Sequence, residues 1–281
     1  MRLSAVADSR ATRKLPWGAL EVVTEHTPKL FAAPVRCFDP SALNLTNSVW
    51  TNPYYETVVG LGYTGNCFEA LAVVAHIQRC FSQLVADDKT SPLPDSGLLA
   101  ELAGELLDRF INAHKDKAKL TVRFVMFGWT PDREPWIAKF GWCKGAKDTP
   151  VFTAATRAKF IAIGTDPGAA RAAAALQRST ANKHKRSTGP KDFDAELQVA
   201  LEHLAVSDTV EQAVNSYLKT PHWASIGGRL EKLEIFPGDG DPCASYAAFT
   251  HDYDAPYWNG LSPVSKASGL RYVPTAVNRG P

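Results

Sequence analysis

The chain reads as an α+β protein built of stacked layers, two sheets packed face to face with helices outside each. Three observations support this. Strand-like and helix-like segments come in separate runs, which favours layers over an alternating, parallel βαβ sheet. Residues 120–142 hold two stretches of apolar alternation joined by turn residues, the pattern of an antiparallel hairpin. The helix expected after Asn66 is apolar on two faces, so it packs on more than one side.

Taken in order, Leu3–Ala7 and Glu21–Thr24 read as short strands. Residues 34–55, rich in Pro, Asn, Ser and Thr, read as a long loop. Thr57–Leu61 resumes as a strand that breaks at Gly62. Asn66 with Glu69 three residues on gives an approximate capping box for the next helix. Its two apolar faces are Phe68, Leu71, Ala72 and Ala75, and then Val73, Val74, Ile77, Phe81 and Leu84. After a turn-rich break at Asp87–Pro94, residues 97–112 form an amphipathic helix through Leu99, Leu102, Leu106 and Phe110. Leu120, Val122, Phe124 and Met126 alternate, as do Trp136, Ala138, Phe140 and Trp142, with Thr130-Pro131-Asp132 as the turn. Lys159–Ile163 is a further strand, and Asp166 and Pro167 start a helix through Ala169–Gln177. Helical stretches at 193–204 and 208–219 lead through Gly227-Gly228 to a last strand, Leu230–Phe236. Beyond Pro237 the sequence is irregular, so the expected division is a main domain over 1–236 and an extension over 237–281.

A chain of 281 residues can bury a substantial core. Its 31 Lys and Arg against 29 Asp and Glu give a net charge of +2, and electrostatics suggests neither nucleic acid nor an acidic membrane as partner. The run Lys183-His184-Lys185-Arg186 reads as a solvated loop. The longest apolar stretch, Leu71–Ala75, is far shorter than the ~20 residues of a membrane span. Asp8, Arg10, Arg13 and Lys14 interrupt any signal-peptide core, so a cytoplasmic location is expected. The five cysteines (37, 67, 80, 143 and 243) include no C-x-x-C pair and read as reduced thiols. His76 and Cys80 stand one helical turn apart without further ligands nearby and read as helix packing. Neither a metal nor another cofactor is expected.

Several local sequences, in order, resemble a known family. They are Ala5-Val6-Ala7-Asp8-Ser9-Arg10-Ala11-Thr12, Thr27-Pro28-Lys29-Leu30-Phe31 and Val59-Gly60-Leu61-Gly62-Tyr63-Thr64-Gly65. Phe127-Gly128-Trp129, Ala162-Ile163-Gly164-Thr165 and Ser225-Ile226-Gly227-Gly228 follow. Together they resemble the N-terminal-nucleophile hydrolases of the proteasome β type, including the peptidase of the bacterial ATP-dependent two-component protease. The resemblance implies a four-layer αββα sandwich with the active site between the sheets. It also implies a threonine-type peptidase whose terminal hydroxyl attacks an amide while the free α-amine serves as base. By position, Asp8 would be the carboxylate, Lys29 the cation and the N–H of Gly62 the oxyanion donor. Thr165 falls where the family places a supporting serine near the amine, and Ser225, ahead of the final glycines, would be a further catalytic residue.

The nucleophile and its strand are absent from the chain as written, since seven residues before Asp8 cannot hold another strand and turn. Arg13–Leu20 reads as a lengthened turn, and His222-Trp223-Ala224-Ser225 departs from the family pattern. Two readings follow. One is an amide hydrolase acting on peptides, or an amidase acting on a small molecule, whose true N-terminus lies upstream; as written it is expected to be inactive. The other is a non-catalytic scaffold or assembly subunit. The resemblance implies a homo-oligomeric ring under either, with an unfoldase as a further partner of the peptidase.

Overall fold

In the computed structural model, the residues described are 3–8, 10–24, 27–46, 49–87, 91–143, 145–154, 163 and 230–250. The chain divides into two compact units: Met1–Ala5, Leu30–Ala155 and Leu233–Ala248 in the first, and Val6–Lys29, Thr156–Lys232 and Phe249–Pro281 in the second. The described residues are of the α+β class.

The first unit is organised on a six-stranded sheet. Its strands are β4 (Leu30–Phe38), β7 (Tyr55–Gly65), β8 (Leu84–Val85), β9 (Thr121–Trp129), β10 (Pro135–Cys143) and β11 (Ala146–Ala154), in the order β11-β10-β9-β7-β4-β8. All neighbours are antiparallel except the short parallel pair β4 and β8. Helices α1 (Cys67–Phe81) and α2 (Ser96–Ala113) pack on one face. There Val73, Val74, Ile77, Leu107 and Ile111 meet Val35, Leu61, Val122, Phe124, Met126 and Trp136. Phe124 and Phe140 stack across β9 and β10 with ring centroids 5.1 Å apart. Burying side chains of this size contributes roughly 1.5–3 kcal/mol each, which makes this layer the main source of the unit's stability. Both helices were legible from their 3.6-residue period. Phe68 is a correction: expected on an apolar face of α1, it stands 79% exposed in the first turn.

Two helix-entry details differ from expectation. Asn66 does precede α1, but its side chain makes no cap hydrogen bond. Its Oδ1 instead accepts from Thr121 N at 2.8 Å, while its own N–H donates to the Thr121 carbonyl at 2.8 Å. Glu69 lies 3.7 Å from the ring of His114, the C-cap residue of α2, and forms no capping box.

The expected loop at 34–55 is corrected most. Leu30–Phe38 is a nine-residue strand whose Ala33, Val35 and Cys37 enter the core. Pro34 obscured it, because proline cannot donate to a ladder and ordinarily argues against a strand. Here β4 pairs with β8 only at Cys37 and Phe38, so Pro34 needs no donor on that side. On α1, Gln78 donates to the Ala32 carbonyl at 2.9 Å. A small hairpin, β5 (Leu43–Asn44) with β6 (Val49–Trp50), follows. Strand β7 continues to Gly65, past the break expected at Gly62. Gly60 lies opposite Phe127, and a Cβ there would fall 2.3 Å from that ring. Strand β11 was not expected at all.

Residues 230–250 supply β12 (Leu230–Pro237) and β13 (Ser245–Thr250), which with β1 (Leu3–Asp8) form a three-stranded sheet in the order β1-β12-β13. Strand β13 lies in the segment expected to be irregular. Within the first unit, Trp129 Nε1 donates to the Ile235 carbonyl at 3.1 Å, Tyr55 Oη to the Cys243 carbonyl at 2.6 Å, and Ser245 N to Thr57 Oγ1 at 2.8 Å. In the second unit, β2 (Ala11–Lys14) and β3 (Leu20–Thr24) form a hairpin where only the second strand and a lengthened turn were expected. Of the expected strand Lys159–Ile163 only Ile163 is described, outside any strand, and the expected elements at 169–177, 193–204 and 208–219, the basic run at 183–186 and Gly227-Gly228 lie outside the described residues. None of the described helices is long and apolar enough to cross a membrane.

Candidate functional site

Two of the five expected site residues come together in the second unit. Asp8 ends β1, and Lys29 stands immediately before β4. Lys29 Nζ donates to Asp8 Oδ1 at 2.8 Å. The pair is largely shielded, with side-chain exposures of 15% for Lys29 and 17% for Asp8. The backbone fixes both ends. Arg10 N donates to Asp8 Oδ2 at 3.3 Å, a short-range turn that orients the carboxylate. Lys29 N donates to Glu231 Oε2 at 2.8 Å.

Glu231 was missed by the sequence reading, although a signal for it existed. In a strand, alternate residues share a face, so Glu231 has the parity of Leu233 and Ile235. Both of those are fully buried, and Glu231 itself is 5% exposed. A carboxylate in that position must be held by donors, because burying it bare is costly.

This arrangement presents an ammonium whose place is set by two carboxylates, one on its own nitrogen and one on its backbone. Such a cation stabilises developing negative charge on a neighbouring oxygen and favours the ionised form of a hydroxyl beside it.

Gly62 belongs to the first unit, in the interior of β7, opposite Leu30 on one side and Val125 on the other. In an antiparallel sheet a residue so placed directs its N–H to one of its two neighbouring strands. The ladder therefore competes with the oxyanion role expected of it. Thr165 and Ser225 lie outside the described residues. His76, at metal-ligand spacing from Cys80, packs its ring against Phe110 with centroids 6.3 Å apart.

No family model matches the chain. None of the curated proteins matches it either. Among solved structures it is similar to an Anbu (Gly-1) mutant from Hyphomicrobium sp. strain MC1, at 16% identity and a TM-score of 0.47, covering 89% of this chain and 83% of that one. Anbu from Yersinia bercovieri, described as an ancestral beta-subunit, is similar at 13% identity and a TM-score of 0.47, with the same coverage. A helical assembly of the Anbu complex from Pseudomonas aeruginosa is similar at 14% identity and a TM-score of 0.43, covering 90% of this chain and 83% of that one. These findings correct the resemblance read from sequence: the structures named are Anbu, not a proteasome β subunit or the two-component protease peptidase. With every TM-score below 0.5, they assign this chain neither a family nor an activity.

Proposed function

We propose that the chain is an amide hydrolase of the N-terminal-nucleophile kind, on a four-layer αββα sandwich, with Asp8 and Lys29 forming the electrostatic half of its site. The observation that supports it most is the shielded Asp8–Lys29 contact of 2.8 Å. A pair withdrawn from water adds little to stability once desolvation is counted, so a structural purpose alone explains it poorly.

In this reading Lys29 lowers the proton affinity of a hydroxyl or thiol on a terminal Thr, Ser or Cys, and the free α-amine takes the proton. The nucleophile attacks the amide carbonyl, the amine leaves, and water hydrolyses the acyl-enzyme. Asp8 keeps the ammonium in place. Thr165 supports the amine, Ser225 is a further catalytic residue, and the N–H of Gly62 is the oxyanion donor. The substrate class is a peptide, or a small amide; the protein acts in the cytoplasm as a homo-oligomeric ring, with an unfoldase delivering protein substrates.

A second reading, a non-catalytic assembly subunit, draws on a different observation. The β2–β3 hairpin shows apolar side chains on both faces, with Val22 and Val23 exposed and Trp17 76% exposed at its tip. A lone two-stranded hairpin is marginal in water and gains from a partner.

The experiment that separates the two is N-terminal sequencing and intact mass of the native protein, together with hydrolysis of fluorogenic peptides by that material. A mature Thr, Ser or Cys terminus, with turnover that falls about 10²-fold or more in Lys29→Ala, supports the hydrolase. A mature terminus of any other residue, with no turnover, rejects it and leaves the assembly reading.

A further inference from the structure

We infer that Glu231 is the positioning residue of this site: its buried carboxylate anchors the backbone of Lys29 and thereby aims the ammonium at Asp8. What Lys29 is aimed to do rests on the hydrolase reading; the anchoring itself does not.

Lys29 is the last residue before β4, and Pro28 beside it has no N–H to share in holding the segment. The Lys29 N–H is met by Glu231 Oε2 at 2.8 Å, from a residue 202 positions away. A buried backbone N–H has to be satisfied, but a neutral glutamine would satisfy it without the cost of burying a charge. A carboxylate gives a stronger, charge-assisted bond. That strength matters because a lysine side chain is a long flexible stem, and its ammonium keeps a single place only where the stem's origin is held. Asp8 and Glu231 thus act on the two ends of one residue. The bland reading, in which Glu231 merely satisfies an N–H, makes a different prediction about the amine, and the test uses that difference.

The test is competitive acylation of the full-length protein with a brief pulse of acetylating reagent, read lysine by lysine by mass spectrometry, with amide hydrogen exchange at Lys29 beside it. In the wild type, Lys29 should react about tenfold more slowly than Lys119, whose side chain is 81% exposed. Glu231→Ala should raise the Lys29 rate about fivefold or more and leave Lys119 unchanged, while Glu231→Gln, which keeps an acceptor but loses the charge, should raise it about two- to threefold, between wild type and Glu231→Ala. If Glu231→Ala does not fold, Glu231→Asp takes its place, since the shortened side chain withdraws the carboxylate. Faster amide exchange at Lys29 with an unchanged amine rate, in whichever of these variants folds, would overturn the inference. A protein without hydrolase activity could still show the expected acylation pattern, so the two proposals fail separately.

Discussion

Removing the Lys29 ammonium tests whether Asp8 and Lys29 act as a coupled pair or as two polar residues that happen to meet. At 2.8 Å, two unit charges attract by roughly 6 kcal/mol in an effective dielectric of about 20. Withdrawing both groups from water offsets most of that gain. A net coupling of about 1–2 kcal/mol is therefore expected, with each single variant costing about 2 kcal/mol because it strands its partner. The cycle is Lys29→Met, Asp8→Asn and the double variant, measured by urea unfolding followed by far-UV circular dichroism. The double variant should cost about 2–3 kcal/mol, less than the roughly 4 kcal/mol that additive single effects would give, with the urea slope unchanged. An internal contrast lies in the same unit: Arg13 and Glu21 meet at 2.5 Å on the β2–β3 hairpin but are 66% and 44% exposed. Their coupling should be lost within error and vanish in high salt, whereas that of Asp8 and Lys29 should persist. Additive effects at Asp8 and Lys29, to within about 0.5 kcal/mol, would refute the reasoning and remove the chief support for the hydrolase.

Two further outcomes probe the first unit. Gly65→Ala should cost about 3 kcal/mol or more, because Gly65 has φ +108° and a Cβ there would fall 1.9 Å from the Thr121 carbonyl oxygen; a thermal midpoint within about 2 °C of wild type would show that the β7–α1 junction can yield. Burial pushes the Cys37 thiol up to about 11 from its ordinary 9.0, with a hydrogen bond involving Tyr54 opposing part of the rise. Because the folded state holds this proton more tightly, its contribution is complete below pH 9 and is lost as pH rises from about 9 to 11, roughly 2–3 kcal/mol in all. Tyr55 is raised by burial too and loses stability in the same direction, so the measurement is the difference between wild type and Cys37→Ala across that window; parallel stability curves would rule the cause out.

How much of this was legible in the sequence depended on whether a residue's pattern and its burial agreed. Helices α1 and α2 were readable because a long 3.6-residue period survives single exceptions such as Phe68. The hairpin of β9 and β10 was readable from alternation alone. Strand β4 was not, because Pro34 signals a break unless one knows that β8 leaves that side of the strand open, and that is a fact of tertiary pairing. Likewise β13 is short and surrounded by Gly, Asp and Pro, and its place comes from bonds that Cys243 and Ser245 make with distant residues.

The site divides along the same line. Asp8 and Lys29 were singled out by local sequence, and the family name first attached to them did not hold; what remains is a geometric fact that any reading of function has to accommodate. Glu231 had no motif to mark it. Its signal was a conflict, a charged residue at a strand position whose neighbours of the same parity, Leu233 and Ile235, are buried. Folding penalises such a conflict unless donors are waiting, and donors brought from 202 residues away serve more than local structure. A charge that breaks the alternation of a buried strand is thus an independent pointer to a built site. In this chain it points to the lysine that the local sequence had already marked.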